Sequence, residues 1–152
     1  TGLRIGVSTA KGLCYALDIP LVAISTLRAM AFGMAEKEES NLYCPMIDAR
    51  RMEVYNAFFN TENKEIRGVQ ADIINEKSYQ KELEKSVLFF GDGAEKCKAI
   101  IRHKNAKFLD GIYPTSKDML SLVLQKYKNK DFEDVAYFEP FYLKDFIAGK
   151  KP

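Results

Sequence analysis

A few stretches of the chain carry residue types that could do chemistry. Asp48-Ala49-Arg50-Arg51 sets two guanidinium groups just after an apolar run. Paired arginines hold a phosphate or a carboxylate bidentately. The competing structural reading has Asp48 capping a turn while the arginines stand in water, since exposed ion pairs contribute little and are common. Gly91-Asp92-Gly93-Ala94 follows the apolar Val87-Leu88-Phe89-Phe90 and precedes a helical pattern over Glu95 to Arg102. Strand, glycine turn and helix in that order put free backbone N–H groups at a helix start, where an anion is held. Most such turns are only turns. Asp48, Arg50, Arg51, Gly91, Asp92 and Gly93 are therefore the candidate contacts for an anion or nucleotide.

The remaining reactive types point away from catalysis. His103 is the only histidine, flanked by Arg102 and Lys104 at the end of that predicted helix. A cation there is favoured by the helix dipole, which is a sufficient structural reason for it. A Ser-His-Asp or Cys-His arrangement would have to use His103, and no nucleophile stands near it in a recognisable elbow. Cys14, Cys44 and Cys97 are odd in number, widely spaced and mostly among apolar residues. They read as buried thiols in a reducing compartment. Neither CxxC nor HxxxH occurs, so no metal site is read, and scattered carboxylates nominate no acid/base pair. P-loop and dinucleotide fingerprints are absent. No catalytic residue, metal ligand or resident cofactor is assigned.

The elements that position these residues follow from pattern. Thr1 to Asp18 winds into a helix whose Leu3, Val7, Ala10, Cys14 and Leu17 form one apolar seam. Arg4, Ser8, Lys11 and Tyr15 make a polar stripe, and Gly2, Gly6 and Thr9 a stripe with almost no bulk. Each of the glycines at 2, 6 and 12 costs an isolated helix about 1 kcal/mol relative to alanine, so tertiary contacts must support it. Small residues at steps of four let another backbone approach closely. The plainer reading is a core helix with glycines tolerated for tight packing. Asp18-Ile19-Pro20 ends the helix, and Leu21 to Ile24 reads as a short buried strand. Ser25 and Thr26 cap a second helix to Ala35, followed by a solvated charged loop over 36–41. Leu42 to Ala49 and Met52 to Phe59 form a hairpin, with Glu65 to Ile74 as a third strand. Glu76 to Ser86 reads as a short charged helix, Val87 to Phe90 and Ala106 to Leu109 as strands. Thr115 and Asp118 cap a last helix whose apolar face runs from Met119 to Tyr127. The aromatic tail, Ala136 to Phe146, reads as an extended segment laid against the body. Strands alternating with helices around a meander argue for a sheet flanked by helices, the α/β class.

Composition sets the bounds. The 152 residues allow one domain or slightly more, and 47% hydrophobic with 29% charged residues is ordinary for a globular chain. A net charge of +2, from 23 basic against 21 acidic residues, lacks the footprint of a nucleic-acid-binding module. No apolar run approaches the roughly 20 residues of a membrane span. The chain opens on Thr-Gly-Leu-Arg without Met or lead-in, which is expected of a piece of a longer protein.

Together these stretches resemble one family, TsaB, also called YeaZ, the accessory protein of threonylcarbamoyladenosine synthesis on tRNA. The resemblance rests on TGLRIG followed by VSTAKGLCYAL (Thr1 to Leu17), IPLVAISTL (Ile19 to Leu27) and MIDARRMEVYNAFF (Met46 to Phe59). The GDGA turn and the closing Pro140 with Tyr142-Leu143 match as well. It implies an actin-like ATPase (ribonuclease H-like) fold of two lobes. Residues 1–18 would be the last helix of the first lobe and 19–152 the complete second lobe. The family's opening strands, with their Asp-Thr-Ser-type motif, lie outside this sequence.

The resemblance further implies a non-catalytic scaffold that pairs with a TsaD-type paralogue, which binds iron through paired histidines on one helix. Threonylcarbamoyl transfer would be to the tRNA adenosine beside the anticodon. The associated ATPase TsaE, ATP or ADP at the complex, tRNA reached only through the complex, and a cytoplasmic location belong to the same expectation. Pairing, including homodimer formation, would use Gly2, Leu3, Gly6, Val7, Ala10, Cys14 and Leu17. The alternative class is an enzyme in its own right, a nucleotide hydrolase needing Gly91, Asp92 and Gly93 on phosphate, or a peptidase as the older glycoprotease label has it. A tRNA-binding module stands third, for want of positive charge.

Overall fold

The computed structural model of the chain describes residues 2–144. Thr1, and Asp145 and Phe146 of the expected tail, lie outside the described residues. The residues up to Ala23 and those from Gln125 onward form one compact unit, and Ile24–Leu124 forms a second. The first helix, expected to stand as residues 1–18 of another lobe, thus shares a unit with the C-terminal segment.

The second unit is built on a five-stranded sheet in the order β3-β2-β1-β4-β5. Its strands are β1 (Leu42–Asp48), β2 (Glu53–Phe59), β3 (Glu65–Ile73), β4 (Val87–Phe90) and β5 (Ala106–Leu109). β1, β2 and β3 make the antiparallel meander read from the sequence, while β1, β4 and β5 run parallel. The continuous apolar runs of β1 and β4 follow from their central place, where both faces must be covered. Alternate side chains divide between two cores. Cys44, Met46, Val87 and Phe89 face one core with Phe58, Tyr79, Leu83 and Cys97. Tyr43, Leu88, Phe90 and Phe59 face the other, closed by Leu27, Met30, Ala31 and Met34. Those last four belong to α2 (Thr26–Ala35), which follows Ser25 as expected. Fully buried Phe58, Phe89 and Phe90 each stabilise the fold by about 1.5–3 kcal/mol relative to exposure.

The segment 76–86 corrects the expectation of a charged helix. Only Glu82–Glu84 is helical, as one 3₁₀ turn. Tyr79 sits at φ 64°, a left-handed conformation that breaks the helical path. Burial of Tyr79 and Leu83 in the first core wins over local propensity. A polar network locks the segment to the sheet. Arg67 of β3 grips Asp72 with two bonds, 2.8 Å and 3.0 Å, and also donates to Asn56 and Gln70. Asn56 Nδ2 and the Tyr79 hydroxyl donate to the same Asp72 oxygen at 2.9 Å and 3.0 Å. The Arg67 guanidinium lies over the rings of Phe58 and Tyr79. Burial pushes the Asp72 carboxyl up, but Arg67, Asn56 and Tyr79 outweigh it and hold the group below the ordinary carboxylate range.

Three other expectations change. Leu21 to Ile24 is not a strand: only Leu21 pairs, in an isolated antiparallel bridge with Glu133. The helix after the glycine turn, α3, is Ala94–Lys98, and it ends early. The Cys97 carbonyl takes the N–H groups of both Ile100 and Ile101 and turns buried Ile101 into the core. The expected capped start at Thr115 is present, but the first turn of the last helix is 3₁₀ (Ser116–Met119) before α4 (Leu120–Lys128). Of its apolar face only Leu122 is buried.

Asp72→Asn is expected to cost about 2 kcal/mol in urea melts at pH 7, leaving Arg67 without its ionised partner. The depressed folded value of Asp72 gives the sign with pH. Its contribution is complete above the unfolded value of about 3.9 and lost as pH falls through the lower folded value. The gap in Tm between wild type and variant should therefore narrow as pH drops from neutral into that acid range. A gap independent of pH contradicts the assignment.

Candidate functional site

The first helix, α1 (Gly2–Leu17), contains no buried residue. It closes with Asp18 at φ 51° and the Ile19 N–H on the Cys14 carbonyl at 3.1 Å. This is a Schellman-type end with aspartate in the usual glycine place. Its polar stripe holds the C-terminal segment. Lys11 Nζ donates to the carbonyls of Ala136 (3.1 Å) and Phe138 (2.9 Å). Arg4 Nε donates to the Tyr142 hydroxyl at 3.1 Å, and the guanidinium lies 5.5 Å from that ring's centre. The expected tail thus lies against α1, after a turn at Asp134–Phe138.

The opposite face of α1 is open. A Cβ added at Gly2, Gly6 or Gly12 would meet nothing within 4 Å. Ile5 and Leu17 are 63% exposed and Leu3 and Leu13 are 56% exposed. Among the described residues nothing packs on the glycines. Of the seven expected contact residues, Gly2, Leu3, Gly6 and Leu17 lie exposed. Val7, Ala10 and Cys14 are half-buried against their own chain. Ile5 and Leu13, outside the apolar seam, are exposed on this face as well. Ile5, Thr9, Leu13 and Ala16 follow the glycine stripe at steps of four, four and three, which is the signal that identifies them.

The arginine turn and the glycine turn are brought together where β1 and β4 end. Gly91 has φ 104°, and a Cβ there would lie 2.2 Å from the Met46 carbonyl oxygen. At Gly93 a Cβ would lie 2.9 Å from the Ile47 carbonyl carbon. The Gly93 N–H donates to Met46 O at 3.1 Å and the Ala94 N–H to Gly91 O at 3.0 Å. Asp92 Oδ1 accepts the Asp48 N–H at 3.0 Å. Asp48 Oδ1 in turn accepts the Arg50 N–H at 2.8 Å and Lys96 Nζ. Lys96 completes its donors on the carbonyls of Arg51 (2.8 Å) and Glu53 (2.7 Å). The Lys96 bond is the main cause that holds the Asp48 carboxyl below its ordinary range. What this arrangement does is fasten α3 to the β1–β2 hairpin. The Arg50 and Arg51 side chains point outward, exposed.

His103 lies five residues past α3 and not at its end; its Nδ1 accepts the Asn105 N–H at 3.2 Å. Cys44 and Cys97 are buried and Cys14 is half-buried, all as free thiols. Among the described residues no group of three or more His, Cys, Asp or Glu side chains is placed to hold a metal ion. No helix among them is long and apolar enough to cross a membrane.

Comparison with known proteins gives a consistent result. A family model described as "TsaD: tRNA N6-adenosine threonylcarbamoyltransferase" matches residues 1–151. The tRNA threonylcarbamoyladenosine biosynthesis protein TsaB of Escherichia coli is 29% identical over 160 residues, covering 99% of this chain and 68% of that protein. TsaB of Bacillus subtilis is 36% identical over 95 residues, covering 60% of this chain and 41% of that protein. YeaZ from Pseudomonas aeruginosa superposes with a TM-score of 0.72 at 21% identity, over 93% of this chain and 68% of its own. A crystal structure of an uncharacterized Pseudomonas aeruginosa protein with similarity to peptidase YEAZ gives 0.72 at 20% identity, over 94% of this chain and 68% of its own. The fold is the actin-like, ribonuclease H-like α/β fold.

Two outcomes follow from the engaged glycine turn. Gly91→Ala places a methyl against the Met46 carbonyl at a left-handed φ, and urea melts should show a loss of about 2–4 kcal/mol. Because the Gly93 and Ala94 donors are already bonded, Mg-ATP should leave the Tm of the chain alone unchanged. A saturable rise in Tm would put phosphate on the turn.

Proposed function

The chain belongs to the TsaD threonylcarbamoyltransferase family, in its TsaB (YeaZ) branch, and from that membership we propose that it is a non-catalytic scaffold pairing with a TsaD-type transferase. The assembly would support threonylcarbamoyl transfer to the tRNA adenosine beside the anticodon. TsaE would be its associated ATPase, with ATP or ADP bound at the complex. The chain spans 68% of the Escherichia coli relative, and the activity of the whole protein is part of the proposal.

Family membership carries this reading, and the small and apolar stripe of α1 is what supports placing the contact there. Three glycines weaken the helix, no residue on it is buried, and Ile5, Leu13 and Leu17 stand exposed around the unoccupied glycine positions. An apolar helix face with small residues at steps of four suits a second helix brought close enough for backbone contact. A second copy of the same chain offers the same stripe, so a homodimer would form through this face in the absence of the paralogue. Val7, Ala10 and Cys14 would contribute through their exposed edges.

The test uses the natural protein with any sequence preceding Thr1 included. Light scattering after gel filtration should give a one-to-one complex with the TsaD-type protein of the same source. Gly6→Leu should weaken that complex more than about tenfold, a change of about 1.4 kcal/mol or more. The same substitution favours the isolated helix by up to about 1 kcal/mol, so weaker pairing cannot be traced to loss of fold. Unchanged affinity of Gly6→Leu contradicts the proposal.

A further inference from the structure

The tip of the β1–β2 hairpin carries Arg50 and Arg51, both exposed. The tip is a short loop, closed by the Ala49 N–H on Glu53 O and the Glu53 N–H on Arg50 O, each at 3.1 Å. Both arginines have positive φ, 70° and 48°. Two consecutive non-glycine residues in the left-handed region are strained, and glycine or asparagine is what such positions favour. The chain has arginine at both places instead. An outlier of this kind, held by its surroundings, is the pattern of a site kept for function.

The surroundings do hold it. Lys96 commits its donors to Asp48, Arg51 O and Glu53 O, and the Asp48 carboxylate also caps the Arg50 N–H. Gly91 and Gly93 fit α3, and so Lys96, against β1 without room for a Cβ. The tip is thus rigid, while its two guanidinium groups have no hydrogen-bond or ion-pair partner among the described residues. Of the nearby carboxylates, Asp48 is bonded to Lys96 and acts on Arg50 only at a distance, and Asp92 accepts the Asp48 N–H.

We infer that the Arg50–Arg51 tip is a phosphate-binding point, through which this chain itself touches the sugar–phosphate backbone of the RNA on which the assembled complex acts. The inference rests on the scaffold reading for its RNA and deepens it, since that reading has tRNA reached through the complex alone. Guanidinium forks suit phosphodiester oxygens, and two adjacent forks on a rigid tip engage the backbone without reading sequence. The overall charge of +2 limits the effect to this local pair. It therefore positions RNA already drawn to the complex.

The test compares the wild-type complex with one carrying Arg50→Asn and Arg51→Gly in this chain, titrated against labelled tRNA transcript across a salt series. Asparagine and glycine accept the left-handed backbone, so the Tm of the variant should hold or rise. Its affinity for tRNA should fall several-fold at low salt, and the plot of log affinity against log salt should flatten by about one to two units, one for each phosphate that is no longer neutralised. Arg50→Lys with Arg51→Lys should keep most of the slope. Light scattering of each complex is read in parallel. An unchanged salt slope with normal assembly overturns the RNA-binding role and leaves the scaffold reading standing. Failure of the variant alone to assemble makes the tip a protein-binding element and also overturns it. Failure of the wild type to assemble overturns the scaffold reading, and the inference with it.

Discussion

The close approach of the glycine turn to the backbone of β1 governs how the whole end of the sheet is put together. Gly93 donates to Met46 O, and neither Gly91 nor Gly93 has room for a Cβ against β1. Only because the backbones meet this closely does α3 sit where Lys96 reaches under the hairpin and takes two carbonyls and a carboxylate. A single lysine then does what a longer helix would otherwise do, tying the parallel half of the sheet to the antiparallel meander. The Arg67–Asp72 network secures the irregular segment 75–86 over the other edge of the meander in the same manner, by one charged group satisfied on several sides.

α1 follows the opposite logic. The sheet buries its apolar groups on both faces, whereas α1 buries none and rests on two polar grips from its own C-terminal segment, Lys11 on carbonyls and Arg4 on Tyr142. A helix with glycine at three positions gains little from propensity. Val7, Ala10 and Cys14 are half-buried against their own chain, while Leu3, Ile5, Leu13 and Leu17 are exposed. Under the proposed pairing, the small stripe would set how close a partner comes, and Ile5, Leu13 and Leu17 would supply the area that leaves water.

Much of this is legible in the sequence, for physical reasons that differ from element to element. The continuous runs of β1 and β4 and the alternation of the meander mark the sheet, because burial on two faces and on one face leave different patterns. The segment 76–86 misleads because its charges favour helix locally, while Tyr79 and Leu83 are drawn into the core and Arg67 reaches the segment from β3. The apolar seam of α1 is visible as a stripe, but its facing is not. Period alone cannot say which side the C-terminal segment covers: Val7, Ala10 and Cys14 of the seam are half-buried, while Ile5 and Leu13 outside it are exposed. Likewise the two candidate anion turns are visible as motifs, but that their polar groups are engaged with each other depends on bonds between residues more than forty apart.

Amide hydrogen exchange of α1, with and without the TsaD-type partner, is the decisive measurement. Alone, a glycine-rich helix held by two polar grips should exchange quickly between Leu3 and Leu17. In the complex, strong protection is expected along Ile5 to Leu13, with the sheet strands unchanged. Complex formation that leaves α1 exchanging as fast as before would contradict the role given to this helix, and would move the partner surface elsewhere on the chain.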